Sequence, residues 1–559
     1  MVNEFVYCLI CREHKGLQSL RTSLGLLSRN WSQAYDFQRL VRRSAPLCLA
    51  FLMVACASQD STAPVGYNEA RAKHLFSEGY QDVNDIYIED VSVADLAVAG
   101  MSSLASIDPA IGIQRQGSRL QVNIDGRRMA SYPMPDPQDP EAWGRLTASV
   151  IAASRYHSPD LDATAPEKLY EAVFDGLLTE LDSFSRYDGR DAARENKASR
   201  EGFGGIGVRI RLTEDGVQIL SVMEETPAAR AGLLQDDLIV AIDDTSVEGL
   251  SQRDVVRRLR GQRGTEVMLS IERESIPLVN PVAVLRTHIV PQTVSYRREG
   301  NLAYIKLSGF NKRTTETLLQ KVTQAQEEIG TDLRGFILDL RGNPGGLLEQ
   351  AVAVSDVFVA SGRIVSTHGR HTDSHQYFEA HREDLTGNIP LVVLINGGSA
   401  SASEIVAAAL QDSGRAVVVG SSSFGKGTVQ RVLTLSNNGE FILTWARFHA
   451  PSGYALHRRG VLPDICTTGA VNSVADVLAM IHSGALPLAM ELRRSDIDTN
   501  DDNAVEELRA NCPTREGNEE IDLKVARQLL EEPGLYARAL HGLPDTAANS
   551  VSPVVGSGS

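Results

Sequence analysis

Residues 391–430 read LVVLINGGSASASEIVAAALQDSGRAVVVGSSSFGKGTVQ, a stretch in which three clustered serines and one loop lysine could do acyl-transfer chemistry. A serine hydroxyl attacks a carbonyl only when a base takes its proton, and lysine can be that base if burial or nearby positive charge lowers its pKa. Residues 391–396 are an apolar run of strand length, and Gly397 and Gly398 break it. Ala402, Ile405, Val406, Ala409 and Leu410 then recur at helical spacing as far as Gly414. Ser401 therefore stands where a helix begins, and the N–H of Ala402 behind it has no intrahelical partner and can face an oxyanion. Lys426 lies in the glycine-rich loop after a second short strand, residues 415–420. The pattern casts Ser401 as nucleophile and Lys426 as its base. Ser399 or Ser403 as the reactive hydroxyl, or all three serines as helix caps, fits the same pattern.

Two competing readings are set aside on residue type. Residues 420–426, GSSSFGK, follow a strand and nearly spell a phosphate-binding loop, but Gly427 stands where that motif needs Ser or Thr for magnesium. Residues 428–435 read as a strand where the motif needs a helix whose N-terminus faces the phosphates. Glu404 and Asp412 are acidic, yet they lie one and three turns into the helix, where a structural role is expected.

The elements that must position these residues occupy 286–470. A strand at 301–307, an amphipathic helix at 312–329, an apolar strand at 335–340, the turn Arg341-Gly342-Asn343-Pro344-Gly345-Gly346 and a helix at 347–359 alternate as in a parallel α/β sheet. Sites in such sheets form in the loops at the carboxyl ends of the strands. The Gly345-Gly346 turn and the Ser401 turn are both loops of that kind, so a backbone N–H of Gly345 or Gly346 is the candidate second oxyanion donor.

Residues 201–285 switch to short β runs around two helical pieces and resemble a PDZ domain of the bacterial protease kind. The matching runs are Gly205-Ile206-Gly207-Val208, TPAARAGLLQDDLIVAID and RGQRGTEVMLSIER. A turn glycine usual in such domains is replaced by Asp236, a residue type that can also take a left-handed turn conformation. The resemblance implies that an extended peptide adds as a strand beside Ile206-Gly207-Val208, its terminal carboxylate held by N–H groups of the glycine-rich turn at Gly205.

DLRGNPGG at 339–346, GSASASEIVAAALQD at 398–412, GSSSFGKGTVQ at 420–430 and RFHAPSGYALHRRGVLPDI at 447–465 together resemble the carboxy-terminal processing peptidases, or tail-specific proteases. The resemblance covers roughly residues 91–465. It implies a ClpP/crotonase-like α/β serine peptidase core with an inserted PDZ domain, and a Ser-Lys dyad of Ser401 and Lys426 with Gln430 orienting the lysine. It further implies cleavage of exported proteins near their C-termini after the PDZ domain captures the chain end, without metal or organic cofactor. Polypeptides with accessible C-termini are the expected partners, and a homo-oligomer or an adaptor protein is left open. The alternative is a catalytically idle PDZ scaffold of the cell envelope.

A chain of 559 residues, 42% hydrophobic and 23% charged, is long enough for several globular domains, and a formal charge of -16 argues against nucleic acid as partner. The expected division is a leader and linker at 1–66, a mainly helical N-terminal domain at 67–200, the PDZ domain at 201–285, the peptidase core at 286–470 and a helical extension with a disordered end at 471–559. Arg42 and Arg43 precede an apolar run at 45–55 that is too short to span a bilayer. Its ending, Leu52-Met53-Val54-Ala55-Cys56, resembles a bacterial lipobox, so Cys56 is the expected lipidation site and the bacterial periplasm, with a membrane anchor, the expected compartment. Cys8 and Cys11 lack a second pair, which makes a zinc site a weak reading. Cys466 and Cys512 are a candidate disulfide or two reduced thiols. Within 67–200, residues 91–110 and 165–187 echo one another, each an amphipathic helix carrying a glycine, and residues 112–130 alternate like a hairpin. No chemistry is assigned to 67–200, and the helices of 471–559 have packing or partner docking as their expected role.

Overall fold

The computed structural model describes residues 66–541 apart from 275, 278–279, 470–472, 484–496, 516 and 518–519. The leader, its candidate anchor Cys56, and Cys8, Cys11 and Cys48 lie outside the described residues, as does the end from 542 onward.

The central sheet has six strands in the order Val294–Glu299, Leu302–Leu307, Gly335–Asp339, Leu391–Ile395, Val417–Gly420 and Ile465–Cys466. The first pair is antiparallel and every later pair is parallel. Near-continuous apolar runs such as LVVLI form these strands because both faces of the sheet are covered. Phe336, Leu338, Leu391, Val393 and Val418 point to one face, where they pack with Leu318, Val322, Ala351, Val354, Ile405 and Val406 of three helices. Those helices are Thr314–Ile329, Leu348–Ser355 and Ala402–Asp412. Ile337, Val392, Leu394, Val417 and Val419 point to the other face. Helices Val474–Ser483, Glu520–Glu531 and Pro533–His541 cover it with Val477, Ile481, Val525, Leu529 and Leu535. These three helices are thus the second wall of the core sheet, a packing role.

A second sheet runs Gln376–Glu379, Arg363–His368, Glu440–His449, Thr428–Thr434, and the short strand Arg186–Asp188 also pairs with Glu440–His449. The N-terminal helices Glu69–Ile86, Val93–Ser102, Pro140–His157 and Pro166–Leu178 pack on this sheet, with Phe76, Trp143 and Phe174 sharing a core with Phe441 and Leu443. The two echoing segments supply the helices Val93–Ser102 and Pro166–Leu178, which cross at their glycines. A Cβ at Gly100 would lie 2.6 Å from the carbonyl oxygen of Val173, and one at Gly176 would lie 2.1 Å from Ser103 Oγ. Where the alternation at 112–130 predicts a hairpin, three antiparallel strands form, Ile111–Gln116, Arg119–Ile124 and Arg127–Pro133. The type I′-compatible Asp125 and Gly126, both at positive φ, turn the chain once more.

In the PDZ region a path of five strands ends on Val208–Leu212, whose one partner among the described residues is Val217–Val222. Among those residues its outer edge is therefore unpaired, and helix Gln252–Leu259 contributes Val255 and Leu259 to the same small core. The residues 204–208 do not form one strand. Gly205 ends a separate strand, Phe203–Gly205, paired with Thr287–Ile289, and Ile206 is buried. Gly207 turns at φ +87°, and Asp236 adopts φ +69° where a glycine is usual.

Candidate active site

The three serines of the 398–403 turn are separated by their surroundings. Ser399 Oγ donates to the carbonyl oxygen of Leu340 at 2.9 Å and accepts from Asn396 N–H at 3.0 Å. Ser403 Oγ donates to the carbonyl oxygen of Asn343 at 2.9 Å. Both are wholly buried and serve to bind the 340–343 loop, whereas Ser401 keeps partial exposure. Ser401 has φ +56° and ψ −114°, a conformation that L residues adopt at a cost of about 1–3 kcal/mol and that tends to occur at functional turns. It immediately precedes helix Ala402–Asp412, so Ala402 N–H is the first of the orphan donors at the helix start.

The oxyanion-side turn is pressed against this serine. A Cβ on Gly345, which has φ +102°, would meet the Ala400 carbonyl oxygen at 2.7 Å and Ser401 Cβ at 2.9 Å. Gly345 N–H is engaged by Asn343 Oδ1 at 2.9 Å. Gly346, at φ +147°, lies against the Phe310 carbonyl. Asn343 also fixes the turn from below, donating from Nδ2 to the carbonyl oxygen of Leu307 at 3.0 Å.

Glu404, three residues after Ser401, is wholly buried and joins the serine turn to the lysine loop. Its Oε2 accepts from the N–H groups of Ser401 and Lys426, and its Oε1 from Gly425 N–H at 2.6 Å and Ser423 Oγ at 2.5 Å. Burial raises its pKa above the usual glutamate value, and the four donors oppose that shift. The spacing Ser401-Ala402-Ser403-Glu404 matches a capping-box sequence, the signal by which this contact is readable.

Lys426 is partly buried, and desolvation followed by the charge of Arg186 lowers its pKa from the ordinary lysine value, against Asp182 and Glu404. Its Nζ stands 5.3 Å from the centre of the Phe184 ring. Ser401 and Lys426 are brought into one site through Glu404, but no hydrogen bond joins Lys426 Nζ to Ser401 Oγ among the described residues. Gln430 lies on strand Thr428–Thr434 and its Nε2 donates to Thr428 Oγ1 at 2.7 Å and Thr444 Oγ1 at 3.3 Å. Thr444 Oγ1 in turn donates to Asp182 Oδ1 at 3.1 Å. Asp182, Phe184 and Arg186 therefore belong to the surroundings of Lys426, although the N-terminal segment carrying them shows no chemistry in its sequence. Asp412 lies apart from this cluster and accepts from Ser452 N–H and Oγ.

Comparison with known proteins places this geometry in a family. The sequence profile of peptidase family S41 matches residues 301–467, which include all three loops of the site, and that of a PDZ domain matches residues 204–279. A carboxy-terminal-processing protease of Bartonella bacilliformis is 42% identical over 301 residues, 54% of this chain and 69% of the relative. The carboxy-terminal processing protease CtpA of Bacillus subtilis is 31% identical over 305 residues, 54% of this chain and 64% of the relative. A solved structure of a photosystem II D1 C-terminal processing protease aligns with 70% of this chain and 92% of its own length, at 25% identity and a TM-score of 0.36, too low to add weight. On the extent and identity of the Bartonella match, the chain belongs to the carboxy-terminal processing proteases of peptidase family S41, which are serine peptidases, and it carries a PDZ domain.

Proposed function

We propose that this protease works through a Ser-Lys dyad in which Ser401 is the nucleophile and Lys426 its base. The observation that carries this reading is the shared carboxylate of Glu404, which ties the backbone at Ser401 to the backbone at Lys426. Two further observations support it: Ser399 and Ser403 are committed to backbone carbonyls, and Lys426 is depressed toward the neutral form a base requires. Catalytic hydrogen bonds are often loose in the free enzyme and tighten in the complex. Closing the dyad requires Lys426 Nζ to come within hydrogen-bond reach of Ser401 Oγ, while the lysine backbone stays held by Glu404.

In the proposed reaction a peptide carbonyl carbon is attacked by Ser401 Oγ as its proton passes to Lys426 Nζ. Ala402 N–H and an N–H of the Gly345-Gly346 turn hold the oxyanion. Lys426 then returns the proton to the leaving amine, and water, deprotonated by the same lysine, releases the acyl group. Gln430 is assigned the orientation of Lys426, from a strand position two residues after Thr428. The central sheet with its helices is read as a ClpP/crotonase-like core.

The substrates are polypeptides with accessible C-termini, captured as an added strand on the open edge Val208–Leu212, the carboxylate received near Gly205-Ile206-Gly207-Val208. Residues 42–56 are read as an export signal ending in a lipid-anchored Cys56, which palmitate labelling of wild type against Cys56→Ser decides. The dyad itself is tested by incubating the full chain, Ser401→Ala and Lys426→Ala with a labelled unfolded polypeptide that ends in apolar residues. Cleavage by wild type alone is the expected result. Equal cleavage by all three eliminates the dyad, and binding without cleavage by wild type leaves a peptide-binding scaffold.

A further inference from the structure

The peptidase profile ends at residue 467, yet residues well beyond it hold all three loops of the site. Arg509, on helix Asp502–Ala510, donates from Nη2 to the carbonyl oxygen of Ser423 at 2.8 Å and from Nη1 to that of Arg459 at 3.0 Å. Ser423 is the residue whose hydroxyl donates to Glu404, so the guanidinium holds the lysine loop from behind at the point where Glu404 holds it from the front. Partial burial lowers the Arg509 pKa, and the negative charge of the buried Glu404 opposes that. Thr514 Oγ1 accepts a further bond from Arg509 Nη2 at 2.7 Å.

The next residues repeat the pattern. The carbonyl oxygen of Cys512 accepts from Ser422 Oγ at 2.5 Å. Arg515 exchanges hydrogen bonds with Ser421 Oγ, and its carbonyl oxygen accepts from Gly397 N–H at 2.7 Å in the serine turn. Asp522, itself wholly buried, receives Arg341 of the 341–346 turn at 3.1 Å and the partly exposed Arg515 at 2.7 Å. A disulfide joins Cys512 to Cys466, at the end of the last core strand, and so pins this set of contacts to the peptidase sheet. An unbridged chain would have to hold the same contacts across 46 residues of separation.

We propose that Arg509, held in place by the Cys466–Cys512 bridge, is a positioning residue for the loop that carries Lys426, and that reduction of the bridge slows the peptidase. This rests on the Ser401–Lys426 reading above. Arg509 touches no reacting atom. It acts by fixing Ser423, whose hydroxyl fixes Glu404, whose carboxylate fixes the backbones of both dyad residues. Reduction is a two-electron step: a dithiol gives two electrons and two protons to the bridge, which becomes two thiols, as the dithiol closes to its own disulfide.

The test measures kcat and KM of the full chain on the labelled polypeptide for wild type, Arg509→Ala, Arg509→Lys, Arg527→Ala and Ser401→Ala. Thermal unfolding is followed in parallel. Arg527 belongs to the same extension but pairs with Glu299 away from the loops, so it reports on extension stability alone. Arg509→Ala is expected to lower kcat on the order of tenfold with KM within about twofold, a loss typical of small misplacement of reacting groups. Arg509→Lys is expected to recover part of that loss, and Arg527→Ala to leave kcat unchanged. Wild type treated with dithiothreitol should lose kcat several-fold and regain it on reoxidation, a measurement that decides the matter even if Arg509→Ala fails to fold. Wild-type kcat in folded Arg509→Ala, or in fully reduced enzyme, overturns the proposal. Residual cleavage by Ser401→Ala instead overturns the dyad, whatever Arg509 does.

Discussion

The backbone N–H groups of Ser401 and Lys426 donate to one oxygen atom, Oε2 of Glu404, at 2.7 and 2.9 Å. Two loops from different crossovers of the sheet are thus registered to each other by a single buried carboxylate. The contact fixes where each backbone lies.

Removal of that carboxylate is expected to be severe. Glu404→Ala leaves three backbone N–H groups and the Ser423 hydroxyl without their acceptor, at a cost of about 3–5 kcal/mol in stability. Glu404→Gln keeps one acceptor oxygen but turns an NH2 toward the donors, so it should retain more stability than Ala and still lose most activity. Urea denaturation alongside kcat measures both.

The pH dependence follows from the depressed lysine. In the proposed dyad only neutral Lys426 accepts the serine proton, so kcat/KM is expected to rise with pH, with a midpoint below the 10.5 of an ordinary lysine. Arg186 lowers the lysine and Asp182 raises it. Arg186→Gln should therefore move the midpoint up and Asp182→Asn should move it down. A profile flat from about pH 6 to 9, or shifts of the same sign in both variants, contradicts the assignment of Lys426 as base.

At Gly345 the backbone itself is the target. Gly345→Ala meets both a positive φ and a Cβ 2.7 Å from the Ala400 carbonyl, so the turn must move away from Ser401. A fall in kcat of about a hundredfold is expected, with a stability cost of about 1–3 kcal/mol. Single-turnover cleavage and thermal unfolding check the two separately.

Ser403→Ala offers the contrast. It loses the bond to Asn343 and about 1–2 kcal/mol of stability, but it should keep activity within about tenfold of wild type, since its hydroxyl is fully buried. Loss of cleavage equal to that of Ser401→Ala would reopen the choice of nucleophile.

Gly207→Ala should act on capture rather than on chemistry. At φ +87° and with Thr226 Cβ 2.4 Å from the new methyl, the turn before the open PDZ edge is deformed. The expected signature is a several-fold rise in KM at unchanged kcat, the mark of lost ground-state binding. Steady-state kinetics on substrates with and without the apolar C-terminus distinguishes it.

Local patterns made the centre of this site readable. The apolar run before Gly397 and the helical spacing after Ser401 became strand Leu391–Ile395 and helix Ala402–Asp412, because each is determined by residues a turn or a pleat apart. The placement of Phe184 against Lys426 carries no such signature, since 242 positions of sequence separate them and strand pairing of Arg186–Asp188 with Glu440–His449 brings them together. The same holds for Arg509, an ordinary helix residue by pattern. Cysteine spacing left Cys466 and Cys512 as a pair or as two thiols, and only the meeting of their loops selects the bridge. Glu404 lay between these cases, legible as a capping box but not as the acceptor for a loop twenty residues away.

The helices Val474–Ser483, Glu520–Glu531 and Pro533–His541 wall off one face of the peptidase sheet, and a ribosome makes them after Ser401 and Lys426. Until they arrive, Val392, Leu394, Val417 and Val419 have no cover, and the loops around Ser401 lack the contacts of Arg509 and Arg515. A nascent chain therefore contains Ser401 and Lys426 before it contains the residues that cover this sheet face and brace their loops.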